Sequence, residues 1–398
     1  MSSQSRPRRR RAPSSIYPLH PAGSRWLARV SETECTVTDR LLVAGSSLVI
    51  VGSAVWVPCL LFWSYRQWQK QTQPPPSSSS SSSSCPSSCP SSSPDWLRHR
   101  RHRRTAYAAL IVAALGVYAM GPHRHHRVGE WLRIRKWKLW RAWLRFLAVE
   151  IVLDSTSRNN NPPNDTAPSF DLQRDDAILA FVPHGIFPFA FGIGTLTDLG
   201  QRIFGVFRPM VATAVLKVPI LGDIVTWLHA LDADRTSVDE ALRNGQRVGL
   251  VPGGIDEMFT GYPRPGCHPD QEYAIVKHGF LRLAARYQKR IIPIYCFGST
   301  KLFQRWHVPA LEYLSHLLRA SLIAFYGVCG LPIPFRQRLT YIVGDPIVPP
   351  PLPVGRDGPT EDQVRALHDQ FCRELQRLFE RHKEAYGWGH KTLHLLSK

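Results

Sequence analysis

The 398-residue sequence predicts an α/β fold, a central sheet flanked by helices, preceded by an N-terminal membrane hairpin. Three observations predict it. Beyond residue 170, short apolar runs alternate with helical patterns, as in α/β sheet domains. Ahead of that region, two uncharged stretches follow one another in the manner of a hairpin. The charge is also split: residues 1–150 carry 23 basic and 6 acidic side chains, whereas residues 151–398 carry 27 and 24. The net charge of +20 therefore belongs to the N-terminal region, and residues 151–398 have a near-neutral globular composition. A nucleic-acid-binding fold carries its charge on the folded domain, so no nucleic-acid partner is expected.

Residues 1–40 read as a disordered basic N-terminus. Its first 31 residues lack acids and are rich in Arg and Ser, which keeps an organelle transit peptide as an alternative. Leu41 to Trp63 holds 23 residues without a charge. As a helix this stretch reaches roughly 35 Å, enough to cross a bilayer. Thr105 to Gly121 adds 17 more uncharged residues, and Trp63, Tyr65, Tyr107 and Tyr118 supply aromatic edges. Residues 41–121 thus form the expected hairpin, with the Pro/Ser tract of residues 74–94 as its disordered loop. Basic residues lie before, between and after the two segments, so the positive-inside rule does not fix the topology.

Residues 122–153 read as a basic amphipathic helix in the headgroup layer. Trp140, Trp143, Leu144, Leu147 and Ile151 fall on one helical stripe and Lys138, Arg141 and Arg145 on another. The same interleaving suits a noncatalytic membrane-bound scaffold or RNA-binding protein, which stays as the alternative from another class. Asn164-Asp-Thr166 is a glycosylation sequon whose use would place the adjoining C-terminal domain in the lumen.

The remaining domain, residues 170–390, alternates strands and helices. Strands are expected at Ala177–Val182, Arg247–Val251, Ile291–Phe297 and Thr340–Val343. Ser237-Val-Asp-Glu240 reads as a capping box opening a helix, Glu272 to Tyr287 as a helix with Ile275, Phe280, Leu283 and Ala284 inward. Thr360-Glu-Asp-Gln363 caps a last helix carrying Val364, Leu367, Phe371, Leu375 and Leu378 at helical spacing. The eight cysteines form no Cys-x-x-Cys pair and no Cys/His cluster at zinc spacing, so no metal site is expected. Reduced thiols are the reading, with a local Cys85–Cys89 bridge as an alternative.

Three places look like chemistry. In Phe181-Val-Pro-His-Gly-Ile186 a strand is broken by Pro and Gly, so His184 projects from a strand terminus, where α/β folds hold reactive groups. Histidine is the usual general base near neutral pH. In Leu250-Val-Pro-Gly-Gly-Ile-Asp-Glu257 another strand enters a turn whose Gly253 and Gly254 let backbone N–H groups approach a ligand or oxyanion. Glu257 could orient a histidine or cap the next helix. In Asp234-Arg-Thr-Ser237, Arg235 precedes the helix expected to start at Ser237, where guanidinium and helix N–H groups can hold a phosphate. A nucleophile elbow, a full dinucleotide fingerprint and a P-loop are all absent from the sequence.

Taken in order, FVPHGIFP, VATAVLKVPILGDI, DRTS, VPGGIDE, KHGFLRLA, IPIYCFG and VGDPI resemble the type-2 diacylglycerol acyltransferase family, over roughly residues 175–350. That family includes monoacylglycerol and wax-forming enzymes and is related to the glycerolipid acyltransferases. The resemblance implies a glycerolipid-acyltransferase-like domain that transfers a fatty acyl group from acyl-CoA to diacylglycerol, giving triacylglycerol. Monoacylglycerol or a long-chain alcohol is the alternative acceptor. It implies no cofactor beyond acyl-CoA as co-substrate. By similarity His184 is the catalytic base, with Gly185 next to it. Gly253, Gly254 and Glu257 match the Gly-Gly-x-x-Glu block, with Glu257 the expected acid partner of His184. Arg235 and Ser237 match the Arg-x-Ser block as contacts to CoA phosphates, with Lys217 a further candidate. Partners are acyl-CoA, diacylglycerol and the bilayer, with a homo-oligomer left open. The expected location is the endoplasmic reticulum membrane, multi-pass, with a cytosolic catalytic domain; a plastid membrane or a lipid-droplet surface is the alternative.

The sequence departs from the family in two ways. The first histidine of the His-Pro-His-Gly block is Val182 here. The His-x-x-x-x-Asp of related enzymes finds Phe189 where the acid should stand. His229-Ala-Leu-Asp-Ala-Asp234 fits that pattern literally but lacks the strand–Pro–His–Gly setting.

Overall fold

The apolar runs beyond residue 170 pair into one sheet, joined by two strands from earlier in the chain. The computed structural model describes residues 20–31, 34–72, 95–120, 131–154, 171–318 and 320–397. The first 19 residues, the Pro/Ser loop with Cys85 and Cys89, and the sequon at Asn164 lie outside them. The strands are β1 (Ser24–Arg29), β2 (Glu150–Asp154), β3 (Ala177–Val182), β4 (Arg208–Val211), β5 (Leu231–Asp232), β6 (Val248–Leu250), β7 (Gln271–Val276), β8 (Arg290–Phe297), β9 (Gln304–Arg305), β10 (Phe325–Tyr326), β11 (Thr340–Val343) and β12 (Thr392–Ser397). Eight of them form a sheet in the order β1-β2-β11-β8-β3-β6-β4-β5. Strands β8, β3, β6, β4 and β5 run parallel, whereas β11 is antiparallel to β8.

Both faces of this sheet are covered, which is why β3 is apolar at every position. Alternate residues point to opposite faces. Leu179 and Phe181 join Trp143, Phe191, Phe204 and Tyr341 on one side, and Ile178, Ala180 and Val182 join Phe280, Phe371 and Phe379 on the other. The helix Glu361–Tyr386 covers the second face and opens with the expected Thr360/Gln363 capping box.

Four expectations need correcting. Residues 24–29, expected in a disordered terminus, form edge strand β1, with Arg29 3.1 Å from the buried Glu150 of β2. Residues 131–153 are not one interfacial helix. A 3₁₀ turn (Leu132–Lys136) precedes a helix at Lys138–Phe146, and β2 comes next. The stripe of Trp140, Trp143, Leu147 and Ile151 is buried against protein, because β2 enters the sheet beside β11 and draws the helix onto the core. Glu272–Tyr287 divides into β7 and the helix His278–Arg286, since the C-terminal β12 pairs with β7 in register. Helix Arg235–Arg243 starts two residues before Ser237; its N-cap is Asp234, whose carboxylate accepts the Ser237 N–H at 3.0 Å.

The N-terminal helices are Val37–Ile50, Ser53–Thr72 and Asp95–Met120, the last two packed together with Trp63 edge-on to Tyr107. Among the described residues no single helix is long and apolar enough to cross a membrane. The pair Val37–Ile50 and Ser53–Lys70, bent by 58°, has the length and composition together. The bend is fastened to the domain: Ser47 donates to the Pro332 carbonyl and Ser53 lies 2.6 Å from the Pro219 carbonyl. Leu41–Trp63 is therefore interrupted by tertiary contacts at its middle.

Candidate active site

Because β3, β6, β4, β5 and β8 are parallel, the turns at their carboxyl ends share one edge of the sheet, where α/β folds open toward ligands. His184 follows β3, Gly253 to Glu257 follow β6, Lys217 follows β4, and Arg235 and Ser237 follow β5. His229 precedes β5 and stands at the opposite edge, exposed to solvent. Topology therefore separates the two histidines that sequence spacing offered.

His184 sits half-buried in a turn braced from three sides. Its backbone N–H donates to Glu257 Oε1 at 2.5 Å, and its ring Nδ1 lies 2.8 Å from the Gly185 carbonyl oxygen. Gly185 has φ +68°, and a Cβ there would lie 2.6 Å from the Ser299 carbonyl oxygen, so the close approach of these two turns requires glycine. Ser299 Oγ lies 3.2 Å from the Pro183 carbonyl oxygen, tying the turn after β8 to the turn after β3.

Glu257 is 5% exposed and also accepts the Ile275 N–H at 3.2 Å. Its carboxylate folds back over Gly253, where an added Cβ would lie 1.8 Å from Oε2. The Gly-Gly-x-x-Glu spacing thus has a mechanical content: glycine leaves the space the carboxylate fills. The acid that sequence reasoning paired with the imidazole holds the backbone amide of His184, not the ring. The ring's near partner is the Gly185 carbonyl. An Nδ1–H donated to that oxygen leaves Nε2 with its lone pair free to accept a proton.

Electrostatics follow from this burial. His184 is lowered to about 4, first by desolvation and further by the positive charge of Lys277; the Gly185 carbonyl opposes the shift. The imidazole is neutral at physiological pH. Burial raises Glu257 to about 7, against the two N–H groups and Lys277, which favour its ionised form. Lys277, Asp256 and His316 are the neighbours that sequence reasoning left without a role. Lys277 is ion-paired with Asp256, whose other oxygen lies 3.6 Å from His316 Nδ1, and the Cβ position of Gly254 is 3.9 Å from Lys277 Nζ. The Lys-His-Gly-Phe block and Asp256 were both visible in the chain, but β7 had to be recognised to set Lys277 at this edge.

The remaining candidates stand apart. Arg235 and Lys217 are exposed, and the Ser237 N–H is taken by Asp234, which is held below the usual carboxylate range by its bonds to Ser237. Strand β5 lies three strand spacings from β3, about 14 Å at the usual 4.8 Å. Among the described residues no group of three or more His, Cys, Asp or Glu side chains could hold a metal ion.

Known proteins resemble the chain along most of its length. It is 26% identical over 313 residues to diacylglycerol O-acyltransferase 2-like protein 6 of Bos taurus, covering 71% of this chain and 85% of that protein. It is 28% identical over 287 residues to human 2-acylglycerol O-acyltransferase 3, covering 67% and 77%. Mouse acyl-CoA wax alcohol acyltransferase 2 is 27% identical over 274 residues, covering 64% of this chain and 75% of its own. Among solved structures it is similar to a 1-acyl-sn-glycerophosphate acyltransferase of Thermotoga maritima, at 11% identity and a TM-score of 0.36, over 86% of this chain and 96% of that one. The diacylglycerol acyltransferase family model matches residues 106–397, which take in the whole carboxyl edge with His184, Gly253 and Glu257; the chain is a member of the diacylglycerol acyltransferase family.

Proposed function

We propose that the protein transfers a fatty acyl group from acyl-CoA to the hydroxyl of diacylglycerol, forming triacylglycerol, with His184 as general base. The observation that carries this reading is the His184 imidazole at the carboxyl edge, its Nδ1 engaged by Gly185 and its ring neutral at working pH. Nε2 takes the hydroxyl proton as the oxygen attacks the thioester carbonyl. The tetrahedral intermediate collapses with cleavage of the C–S bond, and the proton passes from Nε2 to the departing thiolate. The thioester is already activated, so the reaction needs no cofactor beyond acyl-CoA. Glu257 is a positioning residue that fixes the backbone on which His184 turns. Backbone N–H groups near Gly253 and Gly254 are in reach of the developing oxyanion.

Both substrates carry apolar tails, which favours a site tied to a bilayer. Exposed Leu41, Val55, Phe62 and Val112 on the N-terminal helices support membrane attachment of this region. We place the enzyme in the endoplasmic reticulum membrane with the sheet domain on the cytosolic side.

The test is triacylglycerol formation from labelled acyl-CoA and diacylglycerol in membranes of a neutral-lipid-deficient host. Wild type, His184→Ala and His229→Ala run at matched expression. Product from wild type and His229→Ala but not from His184→Ala supports the reading. Loss only in His229→Ala overturns the base. Product only with 2-acylglycerol or a long-chain alcohol changes the acceptor.

A further inference from the structure

A cavity of about 390 Å³ lies at the same sheet edge as His184, on the side away from Arg235. Phe146, Arg336, Gln337, Arg338, Tyr386 and Trp388 line it. Register fixes its place: Val182 of β3 pairs with Tyr295 of β8, and Phe297 at the end of β8 pairs with Thr340 at the start of β11. Two strand spacings, about 10 Å, separate β3 from β11. One turn stands between cavity and base. A Cβ on Gly298 would lie 2.1 Å from the Arg338 carbonyl oxygen and 2.5 Å from Tyr386 Oη, so Gly298 presses on the cavity wall. The next residue, Ser299, braces Pro183 and Gly185 on the other side.

The chemistry of the two flanks differs. Around the cavity each buried carboxylate holds two cations: Glu150 faces Arg29 at 3.1 Å and Arg338 at 3.5 Å, and Glu272 faces Lys301 at 2.9 Å and Lys391 at 2.6 Å. Lys391 Nζ also stands 4.3 Å over Trp388, and the Arg338 guanidinium 4.7 Å over Tyr386. Exposed Arg336 adds a further cation at the mouth. On the other flank, the helix beginning at Arg235 is already capped by the ionised Asp234, which repels an incoming phosphate.

We propose that this cavity receives the phosphate-bearing nucleotide end of acyl-CoA, with Arg336 at its mouth and Tyr386 and Trp388 as its wall. The pantetheine arm then spans the distance of about 10 Å from β11 to β3, across the turn at Gly298 and Ser299, and delivers the thioester to His184. The assignment rests on the acyl-CoA reading above, and the test separates the two.

Purified full-length protein in detergent micelles is titrated with coenzyme A by calorimetry, and KM for acyl-CoA and for diacylglycerol is measured in parallel. Wild type is compared with Arg336→Glu, Arg336→Lys and Arg235→Gln. Losing a charge-assisted contact, Arg336→Glu weakens coenzyme A binding by about tenfold or more. It raises KM for acyl-CoA alike and leaves KM for diacylglycerol in place, and Arg336→Lys recovers part of the loss. Arg336 is exposed, so these variants fold. Unchanged affinity in Arg336→Glu, a larger loss in Arg235→Gln, or no binding of coenzyme A by wild type each overturns the assignment. Binding that depends on Arg336 without any acyl transfer leaves the cavity assigned and overturns the transferase reading instead.

Discussion

Replacing Glu257 by Gln tests whether this carboxylate acts on the backbone of His184 or on its ring. Glu257 is 5% exposed and accepts two backbone N–H groups, from His184 at 2.5 Å and Ile275 at 3.2 Å. A carboxamide offers one acceptor oxygen, so its NH₂ faces the second N–H and leaves it unpaired. An unsatisfied buried donor costs about 1–3 kcal/mol. Each kcal/mol corresponds to a melting shift of about 2–4 °C for a domain of this size. The sign of the pH dependence is equally specific. Glu257 is raised from 4.5 to about 7, so between these pH values the native state binds more protons than the unfolded chain. Its contribution to wild-type stability is full below pH 4.5 and falls as pH rises toward 7, by about 3 kcal/mol in all. Gln carries no such proton, whereas His184 titrates alike in both proteins and cancels. Thermal unfolding of wild type and Glu257→Gln from pH 5 to pH 8 should therefore show wild type ahead at pH 5, with a gap that closes or reverses by pH 8. Acyl transfer falls with the loosened turn, while the pH at which His184 titrates in the rate profile stays in place. A variant as stable as wild type at every pH, yet inactive, would refute the reasoning and put the carboxylate on the ring or the substrate.

Gly253→Ala should reproduce the transfer defect of Glu257→Gln, because the new Cβ would lie 1.8 Å from Glu257 Oε2; transfer assays at matched expression check it. Asp154, fully buried, meets Arg377 at 3.0 Å and His382 at 3.2 Å, so Asp154→Ala should cost about 3–5 kcal/mol in denaturant unfolding. Trp143 is 3% exposed and stacks on Phe189 with ring centroids 5.1 Å apart; Trp143→Ala should cost about 3–5 kcal/mol, and an unchanged melting temperature would return that helix to the lipid surface. With His184 lowered to about 4, kcat/KM should show no acid limb from this histidine between pH 6 and pH 7, which a pH–rate profile measures.

Features that depend on neighbours in the chain were legible from the residues alone. Apolar runs marked β3, β6, β8 and β11, Thr360 and Gln363 marked the start of the last helix, and Pro-His-Gly after β3 marked the base candidate. These are local signals, set by strand alternation, capping and turn chemistry. Other features arose from contacts made across the fold. Ser24–Arg29 carries little strand character of its own and became β1 because β2 offered an edge. Glu272–Val276 fits a helix by spacing and became strand because β12, more than a hundred residues away, pairs with it. Asp234 displaced Ser237 as N-cap because the chain leaving β5 was already placed to turn there. The choice between His184 and His229 was made by strand direction, which puts them on opposite edges. The partner of Glu257 was made by a carboxylate reaching an amide 73 residues away. Pairing partners, strand direction and the satisfaction of buried N–H groups are properties of segments brought together from far apart in the chain, and no local pattern encodes them.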